Sequence, residues 1–181
     1  SSEAGSTGFA DGDEIQSPAG TESFALAAEA SDYSSLPSTT NRIVVDGSTA
    51  SGTFNITLDG VSIDASPENQ CAMELKNGAQ VNLLLEGSNK LYSGYNFAGL
   101  QVPSGSSVTI KGREGGSLEA KAIGSNTYVA GIGGNASMDA GEIIIESGKI
   151  TAIGYYGAGI GGGGTTTGCG GKSGNITIKG G

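Results

Sequence analysis

The residues best suited to chemistry in this chain are tyrosines. Tyr95, Tyr128 and the pair Tyr155-Tyr156 each stand two or three residues before an alanine, Ala98, Ala130 or Ala158, that opens a recurring motif. Repeats of this kind would place the four rings along one edge of the molecule, one repeat apart. Sugars bind by stacking their C–H faces on aromatic rings, while neighbouring polar groups fix orientation. Asn126 is expected to act with the rings as a binding residue, and Asn96, Ser125 and Lys121 stand close enough in sequence to add polar contacts. Tyr92, facing outward on a neighbouring strand, would widen the surface. The same spacing suits a different role, in which the tyrosines pack on one another and shield turns.

The acidic residues offer a second chemistry. Asp46 and Glu74 are expected to face outward on adjacent repeats. Such a pair suits a hard cation such as calcium, or two carboxylates flanking a glycosidic bond. Solvated surface charge is the simpler role for both. Asp11-Gly12-Asp13-Glu14 loosely resembles a calcium loop but lacks the remaining ligands at the required spacing. The chain has no histidine and no tryptophan. Its arginines are Arg42 and Arg113, and Arg113 stands beside Glu114 without a cluster of aspartates. A lyase of the pectate type needs a strong base near acidic calcium ligands, so no catalytic residue is assigned. Cys71 is expected to be a buried, unreactive thiol. Cys169 lies three repeats on, about 14 Å at the usual strand spacing, and no disulfide is expected between them.

These residues must be positioned by a repeat. Ile43-Val44-Val45, Cys71-Ala72-Met73, Ala98-Gly99-Leu100, Ala130-Gly131-Ile132 and Ala158-Gly159-Ile160 begin at spacings of 28, 27, 32 and 28 residues. Periods in this range indicate a solenoid. A second strand recurs as Ile56-Thr57-Leu58, Leu83-Leu84-Leu85, Val108-Thr109-Ile110, Ile143-Ile144-Ile145 and Ile176-Thr177-Ile178. A third, shorter strand holds Leu91, Leu118 and Ile150. Period-two alternation turns every second residue inward, so each position forms a column through the stack. Ile43 is expected to stack on Cys71, Leu83 on Val108, and Leu91 on Leu118. The residues before the turn, Asp59, Glu86, Lys111, Glu146 and Lys179, would form one outward row that mostly pairs opposite charges. Gly99, Gly131 and Gly159 would leave a flat outer strip open to a polymer, unless close packing is what requires glycine there. These features point to an all-β fold, a parallel β-helix of about five coils with three strands each, expected to be right-handed by precedent.

The helix domain spans 42–181, and its last coil stops after the second strand, leaving an edge open to contact with another chain. Residues 1–20 read as a flexible lead-in. Residues 21–41 read as an N-terminal cap containing a short helix, with Thr21 as its N-cap and Phe24, Ala27, Ala28 and Ala30 on its apolar side. A net charge of −9 argues against nucleic acid, which requires a basic face. The longest apolar runs fall short of a membrane span, so membrane insertion is not expected.

The unit Ala-Gly-Ile-Gly-Gly, a Gly/Thr-rich insert and Asn-Ile-Thr-Ile-Lys-Gly-Gly resembles coils of bacterial cell-surface β-helix proteins. So do Ile-Thr-Leu-Asp-Gly-Val-Ser-Ile at 56–63 and Ala-Met-Glu-Leu-Lys-Asn-Gly-Ala at 72–79. The chain is most similar to a clostridial carbohydrate-binding family whose right-handed β-helix is like that of polysaccharide lyases. The resemblance covers 42–181 and implies an extracellular or cell-surface protein that binds polysaccharide, with calcium, without catalysis. It carries no binding residue over to this chain. A purely structural stalk or passenger segment of a surface protein is the alternative.

Overall fold

Strict alternation within short strands, each bounded by glycine, asparagine or serine, leaves the backbone one way to bury its apolar side: coil on itself and stack. The computed structural model describes residues 14–16, 23–27, 38–49, 52–124 and 127–180. It is a parallel β-helix built from three sheets. The first sheet runs β1 (Glu14–Gln16), β3 (Arg42–Asp46), β6 (Met73–Lys76), β9 (Leu100–Gln101), β12 (Ile132–Gly133) and β15 (Ile160–Gly161). The second runs β2 (Ser23–Ala27), β4 (Thr53–Asp59), β7 (Gln80–Glu86), β10 (Ser107–Gly112), β13 (Glu142–Ile145) and β16 (Ile176–Ile178). The third runs β5 (Ser62–Asp64), β8 (Ser88–Ser93), β11 (Ser117–Ala122) and β14 (Lys149–Ile153). All strand pairs within these sheets are parallel.

Inward columns fill the core. Ile43, Met73, Leu100, Ile132 and Ile160 stack in the first sheet. Phe54, Val81, Val108, Ile143 and Ile176 stack in the second, with Ile56, Leu83, Ile110, Ile145 and Ile178 beside them. All but the members from the last coil are buried.

The repeat is as expected, but its register differs in three places. Ile43 lies opposite Met73, not Cys71. Val108 lies opposite Val81, and Ile110 opposite Leu83. Leu91 lies opposite Ala120, and Leu118 sits between Asn89 and Ile150. The cause in the second and third sheets is turn length. Between β7 and β8 the chain has one residue, Gly87, whereas Arg113 to Gly116 separate β10 from β11, closed by a 2.7 Å hydrogen bond from Gly116 N–H to the Arg113 carbonyl. Gly112 is therefore not the counterpart of Gly87. Because every slip is two residues, inward and outward faces are preserved.

The outward charge row changes with the register. Asp59 lies opposite Glu86, and it is Arg113 that forms an ion pair with Glu86. Lys179 does meet Glu146, at 3.1 Å.

The N-terminal segment also departs from expectation. Ser23–Ala27 is a strand, not a helix; Phe24 lies opposite Ile56 and Leu26 opposite Leu58. The open edge of β4 supplies backbone partners that outweigh the helix propensity of the alanines. Glu14–Gln16, within the expected lead-in, pairs with Arg42–Val44. The remaining positions of the lead-in, the other residues of the expected helix and the calcium-loop residues Asp11 and Asp13 lie outside the described residues.

Candidate functional site

The candidate site lies at the corner where the chain passes from the third sheet to the first. Successive coils cross this corner after β5, β8, β11 and β14. The backbone there is tightly packed, which explains its glycines. A Cβ on Gly131 would stand 2.4 Å from the Ile153 nitrogen, and one on Gly99 would stand 2.3 Å from the Lys121 nitrogen. The expected flat outer strip is therefore not open: the first two of these glycines are buried and face the backbone of the third sheet.

Close approach also shapes the tyrosines of the fifth coil. In Gly154-Tyr155-Tyr156-Gly157, the Tyr155 and Val129 backbones exchange two hydrogen bonds, each 3.3 Å. The following residue turns into the left-handed region, with φ +52° at Tyr156. That conformation crowds Cβ against the carbonyl and costs a bulky residue about 1–2 kcal/mol. The Tyr156 ring meets Tyr128 at 5.4 Å between centroids, with planes 31° apart. Tyr155 meets Tyr156 edge-on, at 4.7 Å and 77°. Tyr156 remains 62% exposed. Charge repulsion with the neighbouring Tyr155 phenol group, foremost, holds the Tyr156 hydroxyl above the usual phenol pKa.

Two glycine-rich inserts support the cluster. Residues 134–141 of the fourth coil lie beneath residues 162–172 of the fifth. Ser137 N–H donates to the Gly164 carbonyl at 2.8 Å, Gly163 N–H to Met138 at 3.0 Å, and Ala140 N–H to Lys172 at 2.8 Å. Gly164 presses against the tyrosines: a Cβ there would be 2.3 Å from the Tyr156 carbonyl oxygen and 3.4 Å from the Tyr128 Cβ. The buried Asn135 amide ties this layer to the third coil. Its Oδ1 accepts from Ala98 N–H at 2.8 Å, and its Nδ2 donates to Gln101 Oε1 at 2.9 Å. Sequence reasoning missed Asn135. The available signal was its place after Gly133-Gly134, matching Gly163 after Gly161-Gly162 in the next coil.

The structure thus brings together Tyr128, Tyr155 and Tyr156. It does not join Tyr95 or Tyr92 to them. Tyr95 is exposed at the same corner, and its ring lies beside Gly124. Tyr92 sits on the outer face of the third sheet, where its hydroxyl donates to Glu119 Oε1 at 2.8 Å. Burial, followed by Glu119, pushes the Tyr92 pKa up to about 12. Asn96, with φ +69°, accepts from Ala136 N–H through its carbonyl at 3.3 Å. Asn126 and Ser125 lie outside the described residues.

The candidate cation pair is split by the register. Glu74 lies opposite Val44, and Asp46 opposite Lys76. Each carboxylate faces a cation instead of its expected partner. Arg42 meets Glu74 at 2.9 Å, and Lys76 meets Asp46 at 3.5 Å. Hydrogen bonds from Asn77 and Ser48 hold the Asp46 carboxyl well below the usual carboxylate range. Among the described residues, no three His, Cys, Asp or Glu side chains cluster as a metal site would require.

Both thiols are free, with Cys71 buried and Cys169 exposed. The Cys71 Sγ lies 3.0 Å from the Met73 carbonyl and 3.3 Å from that of Ala98. Burial, reinforced by Glu74, pushes its pKa up to about 12.

No protein-family model, curated protein or solved structure matches this chain.

Proposed function

We propose that this protein is a non-catalytic, extracellular carbohydrate-binding or adhesin-like module that recognises glycan at the tyrosine corner. The observation that carries the reading is Tyr156. A bulky aromatic residue is left 62% in solvent while its backbone adopts φ +52°. Backbone strain held in place by surrounding structure is a recurrent property of binding sites. The ring packs against Tyr128 and Tyr155 and still leaves most of its surface open to a ligand. The resemblance of the coil motifs to clostridial carbohydrate-binding β-helices points the same way, as does the acidic composition, which suits a neutral or cation-bridged ligand better than a nucleic acid. Calcium is carried in this reading by the resemblance, since Asp46 and Glu74 each already face a basic side chain.

The test is electrophoresis through gels containing plant or host polysaccharides, with and without calcium. Retardation is expected, and Tyr128→Ala combined with Tyr156→Ala abolishes it. Unretarded migration on every polysaccharide contradicts the proposal.

A structural stalk or passenger segment is the second reading. It draws on the exposed Ile153 of β14 and Ile176 and Ile178 of β16, the end strands of their sheets, which suit further stacking or contact along that edge. In that case the tyrosine substitutions change no ligand behaviour.

A further inference from the structure

We infer that the tyrosine corner takes a single sugar unit, either a free monosaccharide or the exposed end of a glycan chain, and not an internal stretch of polymer; this rests on the glycan reading above. A polymer lying along a protein surface needs several aromatic faces in one plane, spaced to match its sugars. The rings here do not share a plane. Tyr128 is inclined 31° to Tyr156 and is itself half-buried. Tyr155 is turned 77° from Tyr156, so one presents an edge where the other presents a face.

The other two tyrosines do not extend the platform. Tyr95 makes no ring contact with the three among the described residues and leans on Gly124. Tyr92 lies on the third sheet with its hydroxyl engaged by Glu119. What remains is one open ring, Tyr156, about as wide as one pyranose. Tyr128 and Tyr155 pack against it at 5.4 and 4.7 Å between centroids, and the Gly164 backbone lies against the Tyr156 carbonyl. A binding surface one ring wide gains little from further sugars, because they would extend into solvent and contribute no buried area.

The experiment is titration calorimetry of the 181-residue chain with linear ladders of one to six units from β-1,4-glucan, β-1,4-xylan and α-1,4-galacturonan. Wild type is compared with Tyr156→Gly, which removes the ring and suits the left-handed backbone. For any ladder that binds, Kd per mole of chain is expected to change by less than about threefold from one unit to six, and Tyr156→Gly to weaken binding at least about tenfold. An affinity that rises about tenfold or more with length, and is still lost in Tyr156→Gly, overturns this inference while leaving the glycan reading intact. Failure of every ladder to bind overturns both, as does a Tyr156→Gly variant that binds like wild type.

Discussion

Replacing Tyr156 by glycine and by alanine separates what its backbone costs from what its ring contributes. Alanine removes the ring contacts and keeps the Cβ strain of the left-handed conformation; glycine removes both. The glycine variant is expected to be more stable than the alanine variant by about 1 kcal/mol, read from denaturant midpoints at constant m. Equal stabilities would show that φ +52° carries no strain. Cys71 gives a second expectation at this scale. Its folded pKa is raised from 9.0 to about 12, so the folded state holds a proton that the unfolded state releases between those values. The stability that the buried neutral thiol contributes is fully present below pH 9 and is lost as pH rises towards 12. The stability advantage of wild type over Cys71→Ala should therefore shrink across that window. A constant difference would contradict a buried, neutral Cys71. The burial of this residue could be read in advance from its place in a column of small residues. The environment of Tyr92 could not, because its partner Glu119 lies 27 positions away and is reached only through the sheet register.

At the scale of strands and turns, alternation made the inward residues legible. Ile56, Leu58, Leu83, Leu85, Ile143 and Ile145 are all buried as period two requires. Their vertical neighbours were not legible, because a stack is indexed by turn length and not by motif. Lys111-Gly112 looks like Glu86-Gly87 in sequence, yet Arg113 takes the charge-pairing position opposite Glu86. The same limit separated Asp46 from Glu74. Glycine at the corner was legible as a requirement, but its cause emerges only when coil meets coil. Gly131→Ala tests that cause. Its Cβ would fall 2.4 Å from the Ile153 nitrogen, between backbone groups that have no rotamer to yield. The expected cost is about 3 kcal/mol, measured by chemical denaturation. A loss below about 0.5 kcal/mol would mean that the third and first sheets do not approach as described.

Across the whole molecule, stability should follow position in the stack, since each coil touches only its neighbours. The middle coils are covered on both sides, whereas Ile176 and Ile178 of β16 are exposed. Amide exchange in β16 is accordingly expected to exceed that in β7 and β10 by at least about tenfold, which hydrogen-exchange mass spectrometry resolves. Uniform protection would contradict an uncovered last coil. The solenoid itself was legible because its period survives large inserts. How those inserts fold was not: 134–141 and 162–172 carry almost no apolar pattern, and their shape comes from backbone packed on backbone. The placement of Tyr128 against Tyr156 depends on that packing, which is why one continuous ladder of four tyrosines was expected and a three-ring cluster was found.

The central claim is that glycan contacts this cluster. With six tyrosines and no tryptophan, selective ring labelling gives a sparse spectrum in which each tyrosine can be assigned by substitution. Titrating the labelled protein with a retarding glycan should shift the ring resonances of Tyr128, Tyr155 and Tyr156, most of all Tyr156, and leave Tyr92 unmoved. Shifts confined to Tyr92, or none at any ring while the glycan binds, would contradict it.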